Sequence, residues 1–180
     1  MDQILAISGS LREGSYNTAL LSAAQQALPQ SIRLTSICEV PLYNGDVESN
    51  AMPGAVIRLK QQLADADGLL LASPEYNNSV PGVLKNTIDW LSRPSGEISN
   101  VFKDKPVAVI GASPGGFGTV LAQSAWLPVF RSLGARQWAG GRLMVSGAAR
   151  VFDDRGVLTD DAVKERLSQF VREFLVFCGN

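Results

Sequence analysis

The stretch Ile4–Thr18, with the sequence ILAISGSLREGSYNT, decides the fold, because a short apolar strand, a polar loop and the start of an amphipathic helix follow one another directly. The N–H groups in the first turn of such a helix lack intrahelical partners, and the helix dipole favours negative charge there. We therefore predict a phosphate monoester at the carboxyl end of the first strand. Helix capping alone is the alternative that stays open. The hydroxyl, amide and guanidinium groups suited to phosphate oxygens are those of Ser10, Arg12, Ser15, Asn17 and Thr18.

Two other phosphate-binding loops are excluded by spacing. The dinucleotide fingerprint G-x-G-x-x-G does not occur in this loop. Gly9 and Gly14 have the separation of a P-loop, but Ser15 stands where that motif requires lysine. The apolar run Gly68–Ala72 leads into Ser73 and not into a magnesium-binding acid. The loop therefore indicates a phosphate site without a metal.

Composition limits the class of protein. The 180 residues are 46% hydrophobic and 18% charged, which predicts one domain over residues 1–180 with a sizeable core. A net charge of −1 and the lack of a basic stretch argue against a nucleic-acid surface. We expect no signal peptide and no membrane span, and hence a cytoplasmic protein. Cys38 and Cys178 have no metal-ligand spacing and suit a reducing compartment.

The chain contains no histidine. Ser-His and Cys-His triads are therefore excluded, together with the commonest zinc ligand. We expect no catalytic side-chain nucleophile and no metal, so that a cofactor brings the chemistry if the protein is an enzyme.

Strand-like and helix-like segments alternate along the chain, which predicts an α/β doubly wound sheet of five parallel strands. Ligands of such sheets bind at the carboxyl ends of the strands. A long loop is expected at Glu39–Met52, and Ser79 is the candidate cap of the third helix. Strands are predicted at Gln3–Ile7, Ser31–Ile37, Gly68–Ala72, Pro106–Ala112, and either Ala135–Ala139 or Arg142–Val145. Helices are predicted at Tyr16–Leu28, Pro53–Ala66, Pro81–Leu91, Thr119–Leu133 and Asp160–Phe177.

Three loops follow buried strands and carry unusual residues: the first loop (Ser8–Ser15), the second loop (Pro74–Ser79) and the third loop (Ser113–Gly118). In the second loop, Asn77 and Asn78 tolerate left-handed backbone, and the loop could aim backbone groups at a planar heterocycle. A plain capping turn is the alternative, with Glu75 near a helix N-terminus. The glycines of the third loop allow close approach of a ligand, or form a flexible surface turn.

Three motifs together resemble the NAD(P)H-dependent FMN reductase family. They are Gly9-Ser10-Leu11-Arg12 with Ser15-Tyr16-Asn17, then Pro74-Glu75-Tyr76-Asn77 leading into Pro81-Gly82, and Ser113-Pro114-Gly115-Gly116. Members of the family are described as quinone, chromate and azo-dye reductases. The resemblance implies a flavodoxin-like fold with helices on both faces of the sheet and non-covalent FMN. It assigns phosphate binding to Ser10, Arg12, Ser15, Asn17 and Thr18. It places Pro74, Glu75, Tyr76 and Asn77 at the isoalloxazine ring, and Ser113, Gly115 and Gly116 along the ribityl chain and ring edge.

The resemblance also implies an activity and partners. NADPH or NADH would reduce FMN, and a small-molecule acceptor such as a quinone or free flavin would take the electrons in a ping-pong sequence. A homodimer or homotetramer is expected, with Asp89 and Trp90 as contact residues. The alternative for these two is a surface ion pair of Asp89 with Lys85 and a core tryptophan. Arg131, Arg136 and Arg142 are assigned to the surface by default. An electron-carrier flavodoxin is the alternative, although a net charge of −1 lacks the acidic face of such carriers. A phosphate-binding hydrolase or kinase is disfavoured by the missing P-loop lysine.

Overall fold

A parallel β-sheet forms the centre of the computed structural model, which describes residues 3–179. The order is β2-β1-β3-β4-β5, and β6 pairs with β4 beside this path. All pairings are parallel, so the predicted doubly wound α/β architecture is confirmed. The strands are β1 (Ile4–Ser8), β2 (Ile32–Thr35), β3 (Gly68–Ala72), β4 (Pro106–Ala112), β5 (Arg136–Gln137) and β6 (Met144–Val145).

Helices cover both faces of the sheet. Alternate residues of the central strands point to opposite faces, so that Ile4 packs with one helix layer and Leu5 with the other. This two-sided burial explains why β1 and β3 are continuous apolar runs. The layer beside Ile4 contains α1 (Tyr16–Ala27) and α7 (Asp161–Cys178). The opposite layer contains α3 (Gly54–Ala64), α4 (Gly82–Leu91), the short α5 (Ile98–Val101) and α6 (Val120–Ser132).

The predicted loop Glu39–Met52 is interrupted by a short helix, α2 (Gly45–Asn50). The Asn44 side chain caps it by accepting a hydrogen bond from the Asp46 N–H at 2.8 Å. No residue of α2 is buried, so the sequence has no apolar periodicity to indicate it.

The predicted cap of α4 is wrong. Ser79 does not cap α4, because Pro81 precedes that helix and makes no side-chain cap, while Ser79 belongs to a tight turn with Tyr76. The two candidates for the last strand both form strands, of two residues each. β5 pairs with the start of β4, and β6 pairs with its end. The predicted path of five parallel strands is therefore present, and β6 adds a short sixth strand beside it in the described part of the chain.

The three loops leave the carboxyl ends of β1, β3 and β4, which are neighbours in the sheet. The sheet hydrogen bonds continue into them, since the Gly9 N–H donates to the Ala72 carbonyl at 2.8 Å. A Cβ at Gly9 would lie 2.9 Å from both Leu84 and Pro74, so only glycine allows the first and second loops to approach this closely. Within residues 3–179, no helix combines the length and apolar character that crossing a bilayer requires.

Candidate functional site

The first loop presents unpaired backbone donors. Ser15 is the N-cap of α1, and its Oγ accepts a hydrogen bond from the Thr18 N–H at 3.3 Å. The N–H groups of Tyr16 and Asn17 find no hydrogen-bond partner in the described part of the chain. The Thr18 hydroxyl donates to Ser8 Oγ at 2.8 Å, and Ser10 Oγ accepts from the Arg12 N–H at 3.4 Å. The hydroxyls thus shape the loop and leave the first turn of α1 open to an anion.

Arg12 supplies the positive charge. Its side chain is exposed, and the guanidinium carbon lies 5.6 Å from the centroid of the Tyr16 ring. Among residues 3–179 it has no carboxylate partner. The loop borders a cavity of about 360 Å³, which Ser8, Arg12 and Thr18 share with Thr35–Cys38 at the end of β2. An unpaired guanidinium at the rim of this cavity suits a phosphate.

Ser8, Thr35 and Ser36 were not among the predicted site residues. Ser8 ends β1, and Thr35 and Ser36 reach the cavity because β2 lies beside β1, so that the end of β2 faces the first loop. The strand order is the signal that would have identified them, and the local sequence around Thr35 does not contain it.

Asn17 is used differently from the prediction. Its side chain is buried, Nδ2 donates to the Ala112 carbonyl at 3.0 Å, and Oδ1 accepts from the Ala112 N–H at 2.9 Å. These bonds join α1 to the end of β4. They use the side-chain oxygen of Asn17 and one of the two N–H groups of its amide nitrogen. The second N–H of this amide remains for contact with a phosphate, and that contact stays a prediction.

The second loop contains a two-residue turn. Tyr76 and Ser79 exchange backbone hydrogen bonds of 3.2 and 3.1 Å. Asn77 and Asn78 have φ angles of 50° and 61°, which confirms the left-handed backbone expected from their residue types. Pro74 is buried, and Tyr76 is 49% exposed. The turn is closed by its own hydrogen bonds and presents an exposed aromatic side chain.

Glu75 does not point its carboxylate into the space between the loops. Oε2 accepts hydrogen bonds from the N–H groups of Leu121 and Ala122, at 2.8 and 3.0 Å. These groups lie in the first turn of α6, so the alternative reading of Glu75 as a residue at a helix N-terminus is correct for the side chain. Both hydrogen bonds use Oε2, and a contact of Glu75 with a ring stays a prediction.

The third loop is anchored by hydrogen bonds of Ser113 and by the Gly115 carbonyl, which accepts from the Gly147 N–H at 3.0 Å. The Ser113 hydroxyl donates to the Gly118 carbonyl at 2.6 Å, and the Ser113 N–H donates to the Val145 carbonyl at 2.9 Å. Gly116 has open space where a Cβ would stand, and the N–H groups of Gly115 and Gly116 have no partner within residues 3–179. Backbone donors are therefore exposed where a ligand could approach.

Three other residues make contacts within the chain, and for Trp90 and Asp89 these agree with the core and ion-pair alternative. Trp90 is fully buried, and its Nε1 donates to the Pro41 carbonyl at 2.8 Å, so it is a core residue and not a surface contact. Asp89 forms an ion pair with Lys85 at 2.7 Å. Arg136 is partly buried and donates to the Phe177 carbonyl at 3.2 Å, while Arg131 and Arg142 are exposed as predicted.

Within residues 3–179, no cluster of three or more potential metal ligands is present. A second cavity, of about 340 Å³, lies between α6 and the β4 edge of the sheet and has Trp126 and Trp138 in its walls. It contains none of the predicted FMN-site residues, and Arg142 is among the residues that line it.

The strand order, with loops at the carboxyl ends of β1, β3 and β4, defines a flavodoxin-like α/β protein. The chain belongs to the NADPH-dependent FMN reductase family, whose model matches residues 3–150.

Named relatives agree with this membership. The chain is 45% identical to an NAD(P)H-dependent FMN reductase of Pseudomonas aeruginosa, over 93% of this chain and 90% of that protein. It is 38% identical to a quinone reductase of Pseudomonas putida, over 97% and 95%. Among solved structures, the flavoenzyme NAD(P)H:(acceptor) oxidoreductase FerB of Paracoccus denitrificans superimposes with a TM-score of 0.89 at 33% identity, covering 99% of this chain and 98% of that one.

The protein is therefore an oxidoreductase of this family, and the predicted cofactors, FMN and a nicotinamide nucleotide, are confirmed. The residues present fit FMN. The unpaired N–H groups of Tyr16 and Asn17 and the guanidinium of Arg12 match its phosphate, and the backbone donors of Gly115 and Gly116 match the polar edge of a flat ring.

Proposed function

We propose that this protein transfers electrons from NADPH or NADH to quinones or free flavin, with FMN held between the three loops. The observation that carries the proposal is the group of unpaired donors at the first turn of α1 beside Arg12, next to two loops with exposed backbone groups. The relatives named as FMN and quinone reductases support the choice of acceptor.

Each loop has a part in holding the cofactor. The first loop and α1 bind the phosphate through Ser10, Arg12, Ser15, Thr18 and the free N–H groups of Tyr16 and Asn17. Pro74, Tyr76, Asn77 and the backbone of Glu75 border the ring. Ser113, Gly115 and Gly116 lie along the ribityl chain and the ring edge.

Bound FMN supplies the two-electron chemistry between a nicotinamide nucleotide and an acceptor. The chain binds and orients the reactants, and backbone N–H groups offset negative charge at the polar edge of the ring. No side-chain acid or base is required, which agrees with a sequence that contains no histidine. We place the nicotinamide nucleotide and the acceptor in turn at one opening between the three loops.

The proposal is tested by mixing the FMN-loaded protein with NADPH under anaerobic conditions and then adding a benzoquinone. We expect the visible flavin absorbance to bleach within seconds and to return when the quinone is added. FMN and NADPH without protein are the control. A flavin that binds but is not reduced by NADPH or NADH would identify an electron-carrier flavodoxin instead.

A second copy of the chain would complete the opening. Apolar side chains are exposed around it, with Tyr76 at 49%, Phe117 at 84% and Leu121 at 45%. Exposed apolar groups of this kind mark interaction surfaces. A homodimer, or a homotetramer built from it, would cover them and narrow the approach to the ring.

We also propose a cytoplasmic location. Cys38 is an exposed thiol, which suits a reducing compartment.

A further inference from the structure

Helix α6 lacks a local side-chain cap. Thr119 occupies its N-cap position and makes no capping hydrogen bond. The acceptor comes instead from Glu75, 46 residues earlier in the chain, whose Oε2 lies 2.8 Å from the Leu121 nitrogen and 3.0 Å from the Ala122 nitrogen. The second loop therefore satisfies the first turn of α6, which links two elements that both border the proposed ring site.

A second contact joins the same elements on the inner side of Pro74. The Ser73 Oγ accepts a hydrogen bond from Trp126 Nε1 at 2.9 Å, and both side chains are fully buried. A Cβ at Gly111 would lie 2.0 Å from Thr119 Oγ1 and 2.5 Å from the Ser73 carbonyl oxygen, so β4 admits no side chain where these groups meet. Ser73 is thus fixed in the core, and Glu75 is the outer contact that holds the exposed part of the loop.

We propose that Glu75 is a positioning residue for the flavin. It holds the second loop against α6, and its charge offsets the positive end of the α6 dipole beside the ring. The inference rests on the proposed location of the ring between the second and third loops. Neither effect needs contact between the carboxylate and the cofactor.

The negative charge of Glu75 is informative about its role, because a neutral acceptor would be enough to cap α6. A neutral Ser, Thr or Asn oxygen satisfies helix N–H groups as well. A carboxylate at this end of α6 also opposes the negative charge that accumulates on a flavin when it is reduced. Glu75 should therefore make the bound flavin a stronger reductant, which suits an enzyme that passes electrons on to an acceptor.

Two substitutions separate the charge from the hydrogen bonds. Glu75→Gln keeps an acceptor oxygen and the side-chain shape but removes the charge, whereas Glu75→Ala removes both. Asp160→Asn is the matched control, because Asp160 caps α7 through a 2.9 Å hydrogen bond from the Val163 N–H and lies outside the three loops.

The midpoint potential of bound FMN reports the charge. We expect Glu75→Gln to favour the reduced form by roughly two- to fivefold, the range for one charge at a helix end. That change corresponds to a potential about 10 to 20 mV more positive. Asp160→Asn should leave the potential unchanged. An unchanged potential in Glu75→Gln, or an equal shift in Asp160→Asn, would overturn the electrostatic part of the proposal.

The hydrogen bonds are tested by FMN affinity and by amide exchange in the protein without FMN. Glu75→Ala should weaken FMN binding by roughly two- to tenfold, as expected if the loop is in place between half and a tenth of the time. It should also speed hydrogen exchange at Leu121 and Ala122, and Glu75→Gln should change both much less. Wild-type affinity and exchange in Glu75→Ala would overturn the positioning role. A wild-type protein that bound no FMN would instead contradict the proposed function, and the exchange measurement would still test the contact.

Discussion

Asn17 and Ala112 are paired through two hydrogen bonds across 95 residues of sequence. The Asn17 amide donates to the Ala112 carbonyl at 3.0 Å and accepts from its N–H at 2.9 Å, and both residues are buried. The Asn17 side chain thereby hydrogen-bonds to the end of β4 as the backbone of a neighbouring strand would. It fixes the start of α1, which would hold the phosphate, relative to the third loop, which would hold the ring.

Replacing Asn17 should therefore reduce both stability and cofactor affinity. Asn17→Ala leaves the buried N–H and carbonyl of Ala112 without partners, at roughly 1–3 kcal/mol for each group. We expect the free energy of unfolding, measured by urea titration, to fall by about 2–4 kcal/mol, and FMN affinity to fall with it. Asn50→Ala, at an exposed position of α2, is the control and should change neither. Wild-type stability in Asn17→Ala would contradict the structural role of the pair.

Arg12→Ala should weaken FMN binding without unfolding the protein, because the side chain is exposed. A charge-assisted hydrogen bond contributes about 1.5–3 kcal/mol, or roughly ten- to a hundredfold in the dissociation constant. Arg172→Ala, on the exposed face of α7, provides a matched loss of charge.

Riboflavin makes the Arg12 measurement specific, since it lacks the phosphate. The wild-type protein should bind FMN more tightly than riboflavin, and Arg12→Ala should reduce that preference while leaving riboflavin affinity nearly unchanged. Equal affinity of the wild-type protein for both flavins would refute the assignment of the first loop.

Steady-state kinetics should be ping-pong. Because one opening serves both reactants, double-reciprocal plots at several quinone concentrations should give parallel lines. High quinone concentrations should inhibit competitively against NAD(P)H. Intersecting lines, or a complex that contains both substrates, would show that two separate sites exist.

Light scattering should report a dimer or a tetramer at micromolar concentration. The double variant Phe117→Ser and Leu121→Ser removes exposed apolar surface beside the opening and should shift the mass toward the monomer. Val157→Ser, another exposed apolar position, should not. A wild-type protein that is monomeric under these conditions would rule out the proposed association.

Asp153 should give the stability a component that disappears in acid. Hydrogen bonds from the Val157 and Arg155 N–H groups, at 2.8 and 3.0 Å, lower the pKa of this carboxyl below its ordinary value of 3.8. The lowered pKa stabilises the folded state above pH 3.8, and the effect is lost as the pH falls through the folded-state pKa. Asp153→Asn should therefore be less stable than wild type at pH 7 in urea titrations, with a smaller difference in acid. A difference that does not change with pH would contradict this assignment, and Asp154→Asn is the neighbouring control.

The sequence predicted those parts of the structure that depend on local chemistry. The bounds of β3 and β4 were correct because buried parallel strands are continuous apolar runs. The left-handed turn at Asn77 and Asn78 follows from residue type. The two-residue strands β5 and β6 were harder to assign, since two residues are too few for a periodic pattern.

The hydrogen-bond partners of Asn17 and Glu75 could not be predicted from the sequence for a different reason. Residue types indicate that Asn17 and Glu75 will form hydrogen bonds, but not with which groups. Their partners, Ala112 and the first turn of α6, lie 95 and at least 46 residues away and are set by the packing of the whole sheet. The resemblance assigned both residues to the FMN site, and Glu75 near a helix N-terminus was the alternative. In the structure both side chains join elements that are distant in sequence.

The pairing of β4 with two separate short strands affects how the protein behaves at high concentration. A long, straight sheet edge is a template on which another chain can add a strand and begin to aggregate. Here β5 and β6, of two residues each, cover the two ends of β4 separately, and the edge is broken between them. The opposite edge, β2, has only four residues and includes the exposed Arg33. Neither edge offers the uninterrupted backbone that intermolecular strand addition requires, so this fold resists aggregation through its sheet.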